Sequence, residues 1–84
     1  MAETNLEGLE SLIFELLRTE LLEVGDEFTP ESNLVESGLS SLAVVQLLLA
    51  VEEQTGIWVD EAELTPENLS TVKTLASCVY EQRG

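Results

Sequence analysis

The chain has 84 residues, of which 17 are acidic and 3 basic, with one cysteine, no histidine and a formal net charge of −14 at neutral pH. A length this close to the lower limit for a disulfide-free core predicts one domain over residues 1–84, and 44% hydrophobic residues in periodic segments exclude disorder. The negative field repels phosphates and anionic lipids, which excludes nucleic acid and membrane surfaces as partners and favours proteins with basic docking surfaces.

Met1 to Glu10 has neither the basic region nor the apolar run of a leader, and no segment approaches the roughly 20 apolar residues that span a bilayer, so a cytoplasmic protein is expected. Leu6, Leu9, Ile13, Leu16 and Leu17 recur at helical spacing, predicting a first helix from Leu6 to about Leu21. Thr4, with Glu7 three residues on, has the form of a capping box at its start. Gly25, Pro30 and Gly38 then break the periodicity and predict a long loop, with Phe28, Leu34, Val35 and Leu39 as candidates to pin it to the core.

A second helix is predicted from Ser40 to about Gln54, capped by serine and ended by Gly56. Val44, Leu47, Leu48 and Val51 give it one apolar face, while Leu42, Val45 and Leu49 give it another. That second stripe is either buried in a bundle or held ready for a partner. Ile57, Trp58 and Val59 are too short a run to define a strand. Thr65-Pro66-Glu67 reads as the start of a short third helix, and Ser70 or Thr71 as the cap of a last one carrying Val72, Leu75, Ala76 and Val79.

Without histidine, and with Cys78 in mid-helix, the usual nucleophile and base pairs of hydrolases cannot be assembled, so no catalytic residue is assigned. Neither a disulfide nor a zinc site is available to one thiol, and a reducing compartment fits. Asp26 and Asp60 are the only aspartates and neither opens a calcium loop, so no metal site is assigned either. Cys78 itself reads as an inert, partly buried thiol.

What remains is Gly38-Leu39-Ser40-Ser41-Leu42, where the long loop meets the second helix. The stretch from Asn33 through this pentapeptide, and on through Val45-Gln46-Leu47-Leu48-Leu49 to Gly56-Ile57, resembles the phosphopantetheine-attachment region of acyl and peptidyl carrier proteins. The segment from Leu64 to Val72 is similar to their third helix and the beginning of their fourth.

The resemblance implies an all-α four-helix bundle with a short third helix and a long loop between helices 1 and 2. It implies a 4′-phosphopantetheine arm, taken from coenzyme A, on Ser41, with Gly38 and Ser40 shaping the turn. Leu42, Val45, Gln46, Leu49, Glu52 and Glu53 would then dock partner enzymes. Those partners would be a phosphopantetheinyl transferase, an acyl- or aminoacyl-activating enzyme and downstream biosynthetic enzymes, served by a monomeric carrier that is not itself an enzyme.

Ser40 stands where the family usually has aspartate, and Ala43 and Gln46 where fatty-acid carriers tend to be acidic. The pattern is therefore nearer to discrete aminoacyl or D-alanyl carriers than to a fatty-acid or polyketide carrier. Two other readings compete with a carrier: an unmodified interaction subunit of the same fold, and a small acidic adaptor that takes an apolar helix into a groove.

Overall fold

A computed structural model describes residues 5–82, apart from the side chain of residue 61. The first helix, α1 (Leu6–Leu16), is capped by the Asn5 side chain, which accepts from the Gly8 amide at 2.6 Å. The capping box expected of Thr4 lies outside the described residues. α1 buries Leu9, Ile13 and Leu16, and the chain continues helically through Leu17–Leu21, but with π-type bonding, closed by the Leu22 amide on the Leu17 carbonyl at 2.8 Å. The Thr19 hydroxyl donates to the Glu15 carbonyl at 2.6 Å, taking up an acceptor that a regular α ladder would use and favouring the wider turn.

Residues 22–40 carry only turns and bends, yet they are firmly seated. Phe28 is buried and its ring stacks on Phe14 of α1, with centroids 5.2 Å apart. Leu34 is fully buried, and its amide donates to the Ser70 carbonyl at 2.8 Å. Leu39 is half-buried against the core, whereas Val35, expected to help pin the loop, is 65% exposed. With no regular periodicity in the segment, the inward members of its apolar set cannot be told from spacing.

The next helix, α2 (Ser41–Thr55), buries Ala43, Leu47, Leu48 and Val51 and ends at Gly56, whose φ of 77° is the left-handed conformation that suits glycine. Val44 is only half-buried. Ile57 and Val59 return to the core, and Asp60 caps a short 3-10 turn at Glu61–Glu63 by accepting from the Ala62 amide at 2.9 Å.

Where a short third helix was expected, one turn forms. Thr65 takes the Asn68 amide on its hydroxyl and the Leu69 amide on its carbonyl, and the chain then leaves the helical path to reach Thr71. The interval is too short to repay helix nucleation. The described residues therefore hold three α-helices and no strand, the last being α3 (Val72–Glu81), which Thr71 and Thr74 cap reciprocally.

α1 packs chiefly against α3 and also against α2, and one apolar cluster from Leu9 to Val79 joins all three. No buried side-chain nitrogen or oxygen among the described residues is left without a hydrogen-bond partner, and no helix among them is long and apolar enough to cross a membrane.

Candidate functional site

The site is built by two caps placed back to back. Asn33 opens a helical turn by accepting the Glu36 amide on its side chain at 2.8 Å. That turn closes with the Gly38 amide on the Val35 carbonyl and the Leu39 amide on the Leu34 carbonyl, the paired bonds of a Schellman motif. Gly38 has a φ of 104° and nothing within 4 Å of where a Cβ would stand, so the need for glycine is conformational and not spatial. Leu39 and Leu34 both face the core, which fixes the direction in which the chain leaves the turn.

One residue later α2 begins. Ser40 has extended backbone, and its hydroxyl accepts from the Ala43 amide at 3.2 Å. Ser41 is the first helical residue and is exposed. Among the described residues nothing is hydrogen-bonded to its hydroxyl. The two adjacent serines are thus distinguished: Ser40 does the capping, and the oxygen of Ser41 is left exposed and unbonded.

Ser41 stands at the positive end of the helix dipole, in the turn whose first amides have no partner within the helix, and α2 has no acidic residue before Glu52. A phosphate ester on Ser41 would meet donors and no opposing carboxylate from its own helix. Beside it runs an open groove of about 190 Å³, lined by Ser41, Val44, Val45, Leu64 and Leu69. It suits the neutral part of a flexible chain extending from the ester. Leu64 and Leu69 were not singled out by sequence reasoning as part of the site. The only signal for them is two leucines flanking Thr65-Pro66-Glu67 in a segment too short to be a helix.

The second apolar stripe of α2 is not buried. Leu42, Val45 and Leu49 are 67%, 38% and 53% exposed. Gln46 is exposed on the same helix, and so are Glu52 and Glu53, which stand about 16 to 18 Å along the axis from Ser41 and take no part in its immediate surroundings.

Cys78 lies elsewhere, in α3, buried and donating its thiol to the Glu63 carbonyl at 3.7 Å. Burial first, then the carboxylates of Glu63 and Glu81, push its pKa above the ordinary thiol range. At pH 7.5 a thiol reagent is expected to modify it at least about ten-fold more slowly in the folded protein than in urea. Because the folded state holds this proton longer than the unfolded state, its contribution to stability is intact at neutral pH. It is lost as pH rises through and beyond the ordinary thiol pKa, which alkaline melting curves would record.

Comparison with known proteins bears directly on this geometry. Residues 11–79 match the family described as "Phosphopantetheine attachment site". Aminoacyl carrier protein 2 of Bradyrhizobium diazoefficiens is 42% identical over 55 residues, 66% of this chain and 62% of that protein. Aminoacyl carrier protein 1 of the same organism is 39% identical over 56 residues, again 62% of its length. The matched stretch thus spans less than two thirds of these curated relatives.

Among solved structures, the chain is similar to one from a complex of an engineered Bradyrhizobium japonicum glycine:[carrier protein] ligase with a carrier protein from Agrobacterium tumefaciens and ATP. The TM-score is 0.68 at 30% identity, covering 84% of this chain and 95% of that one. Another similar structure is the Bradyrhizobium japonicum ligase with its cognate carrier protein and an analogue of glycyl adenylate. Here the TM-score is 0.64 at 30% identity, over 92% of this chain and 96% of that one.

Proposed function

The chain belongs to the phosphopantetheine-attachment family of carrier proteins, and on that premise we propose that it is a discrete aminoacyl carrier whose 4′-phosphopantetheine arm is esterified to Ser41. The observation that carries the position is the division of labour between neighbours, with the Ser40 hydroxyl engaged at 3.2 Å and that of Ser41 exposed and unbonded. When bound, the arm supplies a terminal thiol on which cargo is held as a thioester. Gly38 and Ser40 set the turn that presents Ser41 to a phosphopantetheinyl transferase. The first turn of α2 offers amides to the phosphate, and the groove along Val44, Val45, Leu64 and Leu69 offers the arm an apolar bed.

The chain's own residues perform no bond-making, and activation of the cargo falls to partner enzymes, including those of downstream biosynthesis. Leu42, Val45, Gln46 and Leu49 form the surface on which they dock, with Glu52 and Glu53 contributing charge at the far end. We read the protein as a single carrier domain, monomeric and cytoplasmic.

An aminoacyl cargo is favoured over a fatty acyl one by the likeness to aminoacyl carrier proteins and by the absence of acidic residues from the first turn of α2. Two charging reactions on the arm-bearing protein test this choice. With ATP, glycine and a glycine:[carrier protein] ligase, most of the protein is expected to gain one glycyl mass within minutes. An acyl carrier synthetase given a long-chain fatty acid is expected to charge at least about ten-fold more slowly, since the first turn of α2, next to Ser41, carries no acidic residue to orient it. The reverse order of rates would make this a fatty-acid carrier.

A further inference from the structure

Trp58 is the chain's one tryptophan and is 53% exposed, although its neighbours Ile57 and Val59 are only 7% and 1% exposed. The backbone around it is well held. Gly56 ends α2 in a left-handed turn, the Ile57 amide donates to the Thr55 hydroxyl at 3.1 Å, and that hydroxyl donates to the Val51 carbonyl at 2.7 Å. With Ile57 and Val59 committed to the core on either side, the indole is held outward.

The surroundings in the chain are uniformly acidic. Glu52 and Glu53 precede Trp58 and Asp60 and Glu63 follow it, all exposed, and no lysine or arginine occurs anywhere between Arg18 and Lys73. A second copy of this chain would bring one charge of −14 against another. An uncharged apolar partner would have to cover carboxylates without pairing them, which is costly. The occupant that satisfies both the ring and the charges is a cation with a flat, weakly hydrated face, and guanidinium meets that description better than ammonium.

We propose that Trp58, with the carboxylates flanking it in the chain, is a docking point for a basic segment of a partner protein, one of whose arginines lies on the indole face. This site is distinct from the attachment site: Ser41 opens α2, whereas Trp58 follows three residues after Thr55, which ends the helix about 21 Å along the axis from Ser41. A partner gripped here leaves the Ser41 hydroxyl and its groove open, so it can stay bound whether or not the serine is modified.

Two dye-labelled six-residue peptides, all-arginine and all-lysine, serve as probes, with binding to the full chain read by fluorescence anisotropy. The Trp58 indole resonance is followed in parallel. The arginine peptide is expected to bind roughly two- to five-fold more tightly than the lysine peptide and to shift the indole signal saturably. Trp58→Leu should bring the two affinities together, Trp58→Phe should keep part of the difference, and Ser41→Ala should leave it unchanged. The Ser41→Ala arm keeps this result separate from the attachment assignment. Equal affinities in the parent protein, or a preference that survives Trp58→Leu, would overturn the proposal.

Discussion

Ser41→Ala is expected to eliminate all mass gain when the protein is incubated with coenzyme A and a broad-specificity phosphopantetheinyl transferase, whereas Ser40→Ala still gains one arm. The expectation follows from what each hydroxyl is doing. Ser40 is committed to the Ala43 amide, and losing that cap weakens the start of α2 by about 1 kcal/mol without removing a nucleophile. The Ser41 hydroxyl has no structural duty among the described residues, so its removal deletes only the reacting oxygen. The same pair separates the carrier from an unmodified interaction subunit, which would gain no mass in any form. Intact mass spectrometry reads all these outcomes, and undiminished modification of Ser41→Ala would move the site elsewhere.

The second large effect lies two residues apart on α2. Leu47 is 1% exposed and Leu49 53% exposed. Leu47→Ala removes a buried side chain and leaves a cavity, at a cost of about 2 to 5 kcal/mol. For a domain this small, with a total stability of roughly 5 to 10 kcal/mol, that moves the urea midpoint far toward zero. Leu49→Ala removes only surface, and alanine's higher helix propensity offsets part of what is lost, so stability should stay within about 0.5 kcal/mol. Its effect belongs to partner encounters, and a several-fold drop in loading rate with an unchanged midpoint is expected. Equal losses of stability at the two positions would mean that the stripe is core.

Much of this arrangement was legible before any coordinates. Ser40 and Gly56 bracket α2 because a capping side chain and a left-handed glycine are local requirements, each written in one residue. Ser41 is singled out for a different reason, through the resemblance carried by Gly38-Leu39-Ser40-Ser41-Leu42, and its exposure could not be read from that pattern. The π-type end of the first helix was not, since Leu17 and Leu21 satisfy the same apolar spacing under either hydrogen-bond pattern. Nor was the failure of the third helix. Thr65-Pro66-Glu67 is a sound beginning, but Thr71 opens α3 before a second turn can form. The outward position of Trp58 was hidden for a simpler reason: three apolar residues in a row do not say which of them alternates out.

The hydrogen bonds from Leu34 to Ser70 and from the Lys73 amide to the Pro30 carbonyl, together with the Lys73–Glu31 ion pair at 3.1 Å, tie the end of the long loop to the start of α3. They divide that loop into two stretches with different tolerance to insertion and deletion. Between Leu22 and Phe28 only Val24 packs against the core, and an added residue costs little beyond the slow logarithmic growth of loop-closure entropy. Between Pro30 and Ser41 every position is counted, because one inserted residue would put Leu34 out of step with Ser70 or carry Gly38 away from the turn it closes. Variation in length among chains built on this plan should therefore gather ahead of Phe28 and stop there, leaving the distance from α3 to Ser41 unchanged.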